Sequence, residues 1–187
     1  PNILWVGTGE TFLIRPAHAI GDGIYKSEDG GNTWKNMGLQ KTARIAKIVI
    51  HPKNDKIVYV AALGHTFGPQ EDRGIYKTTN GGKTWKKILF IDQNTGGIDI
   101  ALDRKNPNFL IASMWEIYIN TWGLNSGGES GGVFISKNAG KSWERQDKNG
   151  LPGGKGKPVG KTAVSISQSN PNTMYALCEE KHPGLYR

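Results

Sequence analysis

Cys178 is the chain's one cysteine, so no intrachain disulfide can staple the fold. It follows the alternating run "TMYALC" and reads as a small buried hydrophobe. The four histidines, His18, His51, His65 and His182, form no close pair, and no Cys–His spacing has the form of a zinc site. Apolar residues make up 36% of the chain, yet no apolar run approaches the roughly 18 residues of a membrane helix. Helical periodicity is lacking throughout. "GTGETF" from Gly7 lacks the lysine of a phosphate loop, and no Gly-x-Ser-x-Gly elbow is present. These absences speak against metal, cofactor, nucleotide and triad-hydrolase chemistry. No metal, no cofactor, no nucleic-acid partner and no membrane span is expected.

Glycine is plentiful at 26 residues and proline contributes 9, a turn-rich composition. Lys and Arg number 24 against 16 Asp and Glu, for a net charge of +8. That excess favours acidic partners in a general way. The densest basic stretch is "KNGLPGGKGKPVGK" at 148–161, which reads as a solvated flexible loop, with a polyanion contact as the alternative. Pro1-Asn2-Ile3 reads as a turn entering a strand, so the start is expected to be an internal cut or a processed end, with the rest of a longer polypeptide, or something else, completing the fold.

Three stretches repeat one turn: "SEDGGNTW" at 27–34, "TTNGGKTW" at 78–85 and "SKNAGKSW" at 136–143. Each is preceded by a second signature, "GIYKS" at Gly23, "GIYKT" at Gly74 and "GVFIS" at Gly132, and "GLYR" opens a fourth copy at Gly184. Further runs rich in Val, Ile and Tyr lie upstream of each. In the second unit the strands are expected at Ile45–Ile50, 57–62, Gly74–Thr78 and 84–88. Four antiparallel strands recurring every fifty to sixty residues describe a propeller blade. The expected class is therefore all-β, a β-propeller segment of four-stranded antiparallel blades. About three and a half blades are present, an incomplete ring. The divisions are a partial blade at 1–37, blades at 38–90 and 91–147, and a partial blade at 148–187.

The repeated turn is the hairpin between third and fourth strands. Ser27, Asp29, Gly31, Thr33 and Trp34 compose the first copy. Asn80, Gly82 and Trp85 take the equivalent places in the second, and Asn138, Gly140 and Trp143 in the third. The acid or amide side chain holds the turn, the glycine supplies backbone freedom, and each tryptophan is expected to bury its ring between blades. The pattern Ser-x-Asp-x-Gly-x-Thr-Trp resembles the Asp-box of bacterial neuraminidase repeats. With "RIAKIVIHPKNDKIVYVAALGHTFGPQEDRGIYKTTNGGKTW" from Arg44 and "NPNTMYALCEE" from Asn170, the whole chain resembles Asp-box propellers related to sortilin and often labelled glycosyl hydrolases. The resemblance implies a secreted, periplasmic or cell-envelope parent, and Asp-box residues that are structural rather than catalytic.

Alternating strand direction sorts the loops onto two faces. The short Asp-box turns share one. The long loops at 8–22, 64–73 and 115–131 share the other, with the inter-blade connections. Long loops on a rigid scaffold carry binding and catalysis. A glycosidase needs two convergent carboxylates, and the candidates are Glu10, Glu71, Asp72 and Glu116, with Asp22 and Glu129 also in these loops. For ligand binding the candidates are Arg15, His18, His65, Arg73, Trp115 and Trp122. Tyr118 and Phe67 add stacking surface. A peptide- or glycan-binding scaffold is the first expectation, a glycoside hydrolase the second, and an assembly module docking its open blades against other chains the third.

Overall fold

The computed structural model describes residues 2–11, 19–148 and 150–187. It is all-β, and the helical element among the described residues is a single 3-10 turn at Gln40–Thr42. Among the described residues no helix is long and apolar enough to cross a membrane. The first sheet holds Leu4–Gly7 (β1), Ile24–Ser27 (β2) and Lys35–Asn36 (β3). The second holds Ile45–Ile50 (β4), Val58–Ala62 (β5), Gly74–Thr78 (β6) and Lys86–Leu89 (β7) in sequential order. The third adds a strand: Thr95–Leu102 (β8), Leu110–Ile119 (β9), Leu124–Ser126 (β10), Gly132–Ser136 (β11) and Glu144–Gln146 (β12). The fourth comprises Thr162–Ile166 (β13), Met174–Cys178 (β14) and Gly184–Tyr186 (β15). Every pairing is antiparallel, as in stacked propeller blades forming part of a ring.

The apolar alternation of the strands buries both faces of each inner sheet. Tyr59, Ala61 and Ile75 of the second sheet meet Ile100, Leu110, Ala112 and Met114 of the third in one cluster. Ile111 and Val133 then pack from the third sheet onto Val164, Ile166 and Ala176 of the fourth. Ile24 of the first sheet joins Val58, Val60 and Tyr76 of the second.

The three boxes share one hydrogen-bond scheme. The buried hydroxyls of Ser27, Thr78 and Ser136 accept the amide protons of Gly31, Gly82 and Gly140 at 2.8, 3.0 and 2.9 Å. The same hydroxyls donate to Asp29, Asn80 and Asn138. Those acceptors in turn take the amides of Thr33, Thr84 and Ser142. Gly82, with φ +90°, lies so close to the first sheet that a Cβ there would stand 2.7 Å from the Trp5 ring.

Three expectations need correction. The tryptophans do not share one environment. Trp85 meets Trp5 edge to face at 6.1 Å and donates its indole N–H to Met37 at 2.7 Å, and Trp143 packs on the cluster joining the second and third sheets. Trp34 is 42% exposed and returns its N–H to Gly31 of its own turn. The second and third boxes reach back to the preceding sheet, whereas Trp34 belongs to the first sheet. Residues 115–131 are not one loop, because β9 runs on to Ile119 and folds back as β10. The stretch 148–161 is not a solvated loop throughout. Pro152, Gly153, Gly154, Val159 and Gly160 are buried, and Gly153 and Val159 bridge Gly132 and Gly128.

Candidate functional site

The long-loop face is tied together across blades by backbone and side-chain bonds. Arg44, just before β4, is fully buried. It donates from Nε to the Glu10 carbonyl at 2.9 Å and from Nη1 to the Gly64 carbonyl at 3.3 Å. Arg73, just before β6, is also fully buried. Its Nη1 reaches the carbonyls of Asn94 and Ile117 at 2.6 and 3.3 Å, and its Nη2 that of His65 at 2.6 Å. Burial brings the Arg73 guanidinium down to about 10, so it stays charged at neutral pH. Gly64, with φ +83°, leaves room for this side chain, since a Cβ there would stand 2.6 Å from Arg73 Cγ. Arg73 is thus a staple joining three segments rather than a group presented to solvent.

His65 is half-buried beside this staple. Burial first, then Arg73 and Arg44, lower its imidazole pKa, with Asp72 opposing. Asp72, His65 and Arg73 are therefore neighbours, as their places in one loop suggested. Glu71 turns outward to Gln93. Glu10 lies near Arg44, whose charge it favours. Arg15 and His18 lie outside the described residues. No three of the described His, Cys, Asp and Glu residues gather as a metal-binding group.

A cleft of about 660 Å³ opens beside the β9–β10 hairpin, lined by Pro69, Asn94, Glu116, Tyr118, Asn125 and Ser126. Of the candidate carboxylates, Glu116 alone lines it, and its Oε2 accepts the Ser130 amide proton at 3.1 Å. The hairpin closes tightly: Asn120 Oδ1 accepts the amides of Trp122 and Gly123 at 3.0 and 2.6 Å. This turn holds Trp122 at the tip, 90% exposed. Tyr118 and Leu124 are exposed on the same hairpin, and Phe67 on the neighbouring loop.

Trp115 lies inside, 4% exposed and packed with Leu63, Ile98 and Ile117. Its indole N–H donates to Ser126 Oγ at 3.1 Å. Ser126 donates to Glu179 Oε2 at 2.8 Å, which also accepts the Lys161 amide at 2.8 Å. The Lys161 ammonium stands 5.6 Å from the Trp115 ring centre. Trp115 is thus the root of a polar relay under the cleft, not a ligand platform. Glu179 was not among the residues singled out from sequence, because its partner Ser126 is 53 residues away.

Known proteins resemble this chain in the same architecture. An ancestral GH74 enzyme matches with a TM-score of 0.61 at 27% identity, covering 86% of this chain and 19% of that one. The GH74 xyloglucanase of Xanthomonas campestris matches with a TM-score of 0.66 at 14% identity, covering 99% of this chain and 26% of that one. A probable oligoxyloglucan-reducing end-specific xyloglucanase of Neosartorya fischeri is 30% identical over 93 residues, 47% of this chain and 9% of that protein. The chain therefore spans about a quarter or less of the length of these relatives. The Sortilin-Vps10 model (sortilin, neurotensin receptor 3) matches residues 22–179, and the chain belongs to that family.

Proposed function

We propose that this chain supplies a glycan-binding surface, with the β9–β10 cleft taking a neutral glucan backbone of the xyloglucan type. The observation that carries this reading is Trp122, 90% exposed at the tip of the hairpin whose Tyr118 and Asn125 line an open cleft. An exposed indole face stacks on the C–H face of a sugar ring, while amides and hydroxyls below bond its hydroxyl groups. The named activity of the xyloglucanase relatives supports the sugar class. The reading places the protein where polysaccharide is met, outside the cell or in its envelope. Hydrolysis is the second reading: Glu116 lines the cleft and would supply one of the two carboxyl groups that a glycosidase sets about 5–9.5 Å apart.

Calorimetric titration with xyloglucan oligosaccharides tests the proposal. Trp122→Ala is expected to weaken binding about tenfold, equivalent to about 1.4 kcal/mol. Glu116→Gln is expected to bind within about twofold of the parent chain. An unchanged dissociation constant in Trp122→Ala overturns the reading. Release of reducing sugar that Glu116→Gln abolishes would favour the hydrolase instead.

A further inference from the structure

On the Asp-box side of the molecule, the second and third boxes each leave a groove against the preceding sheet. The first, about 660 Å³, is lined by Lys26, Lys35, Lys56 and Lys83 around Trp34 and Met37. The second, about 260 Å³, repeats the pattern one sheet on, with Lys77, Lys86 and Lys141 around Trp85 and Ile88. Thr79 lines both, so the two grooves adjoin at the turn between β6 and β7, and together they make up the track.

The lysines are placed against their own repulsion. Lys26 stands directly opposite Lys35 across β2–β3, and Lys77 opposite Lys86 across β6–β7. Like charges directly opposite destabilise an antiparallel pair. The third sheet sets Ile135 opposite Glu144 at the same position, so the fold itself does not demand the lysine pair. In the first groove Lys26 bonds Glu28. No residue lining the second is acidic. There Lys77 donates to the Ala139 carbonyl at 2.9 Å, while burial and the nearby Lys141 disfavour its charged form. An anion laid beside the opposed lysines would offset their repulsion.

We propose that this track binds a linear polysaccharide bearing carboxylates, a polyuronate, at a surface separate from the β9–β10 cleft. Paired ammonium groups neutralise successive carboxylates, and Trp34 and Met37 give the first groove an apolar floor for a sugar ring. Neither groove is lined by arginine, so each carboxylate is met by ammonium point charges rather than by a two-bond fork.

The full chain is titrated with polygalacturonate fragments at low salt, beside heparin fragments and duplex DNA of matched charge. Polyuronate is expected to bind, and to bind less well as salt rises. The triple variant Lys35→Gln, Lys86→Gln, Lys141→Gln is expected to lose about tenfold or more in affinity. Its melting midpoint should hold or rise, because the opposed charges are gone. Arginine at the same three positions keeps the affinity, and Trp122→Ala leaves it unchanged, which separates this track from the glucan cleft. Should the triple variant fail to fold, single Lys35→Gln and Lys86→Gln chains each still lose about threefold. Unaltered polyuronate affinity in the glutamine variants, or tighter binding of heparin or DNA than of polyuronate, overturns the proposal.

Discussion

In the first box Asp29 accepts both the amide and the hydroxyl protons of Thr33, at 2.9 and 2.6 Å. In the second and third, Asn80 and Asn138 still accept the amide proton but donate their own NH₂ to the hydroxyls of Thr84 and Ser142, both at 2.8 Å. A hydroxyl rotates to serve as donor or acceptor, so acid and amide hold the same turn with one proton reversed. The difference appears with pH. The Thr33 hydroxyl first, then its amide and the Ser27 hydroxyl, hold the Asp29 carboxyl far below its ordinary 3.8. A carboxyl lowered by folding stabilises fully above its unfolded value and loses that contribution as pH falls from there through the folded value. Asn80→Ala, which removes three bonds, is expected to cost about 1–3 kcal/mol in urea denaturation. Asn80→Asp should stay within about 0.5 kcal/mol of the parent at neutral pH and lose stability in acid as the first box does. Equal losses for both variants at neutral pH would show that the side-chain bonds do not hold the turn.

The loop at 64–73 and the β9–β10 hairpin are the elements that shape the long-loop face. Folding favours the neutral form of His65, through burial first and then the Arg73 and Arg44 charges. A base lowered by folding contributes fully above its unfolded value, near 6.5, and the contribution is lost as pH falls through that value, because the unfolded chain takes the proton first. The unfolding free energy of the parent chain should therefore drop more than that of His65→Gln between about pH 7.5 and pH 5.5. Parallel curves for the two would place the imidazole outside the fold's charge balance. These same elements mark where sequence reading reaches its limit. β4 and β6 stand at the bounds that the apolar runs predict, because propensity and burial agree there. The far half of β9 was hidden by glycine and charge around it, although Trp115, Ile117 and Ile119 are buried while Tyr118 is exposed, the period-two alternation of a strand. The burial of Arg73 had no local signature, since its acceptors Asn94 and Ile117 lie 21 and 44 residues on. The exposure of Trp122 was legible because asparagine and glycine bracket it in a turn.

Across the whole molecule, stability runs from sheet to neighbouring sheet, and the box tryptophans are the wedges. In such a stack each unit draws its burial from the units beside it. Trp85 reaches back from the second sheet onto Trp5 and Met37, and Gly82 lets that hairpin close against the same ring. Trp34 occupies the same place in its own box but lies 42% exposed, bonded to its own turn. Two tryptophans in one motif therefore carry different weights. Trp85→Ala is expected to cost about 3–5 kcal/mol, the range for removing a large ring from a packed site. Trp34→Ala is expected to cost less than about 1 kcal/mol. Urea denaturation of the full chain, followed by indole fluorescence and by far-ultraviolet dichroism, reads both. Equal costs would mean that the motif stabilises its own hairpin alone. A large loss at Trp85 with little at Trp34 would show that the box earns its stability by gripping the sheet before it.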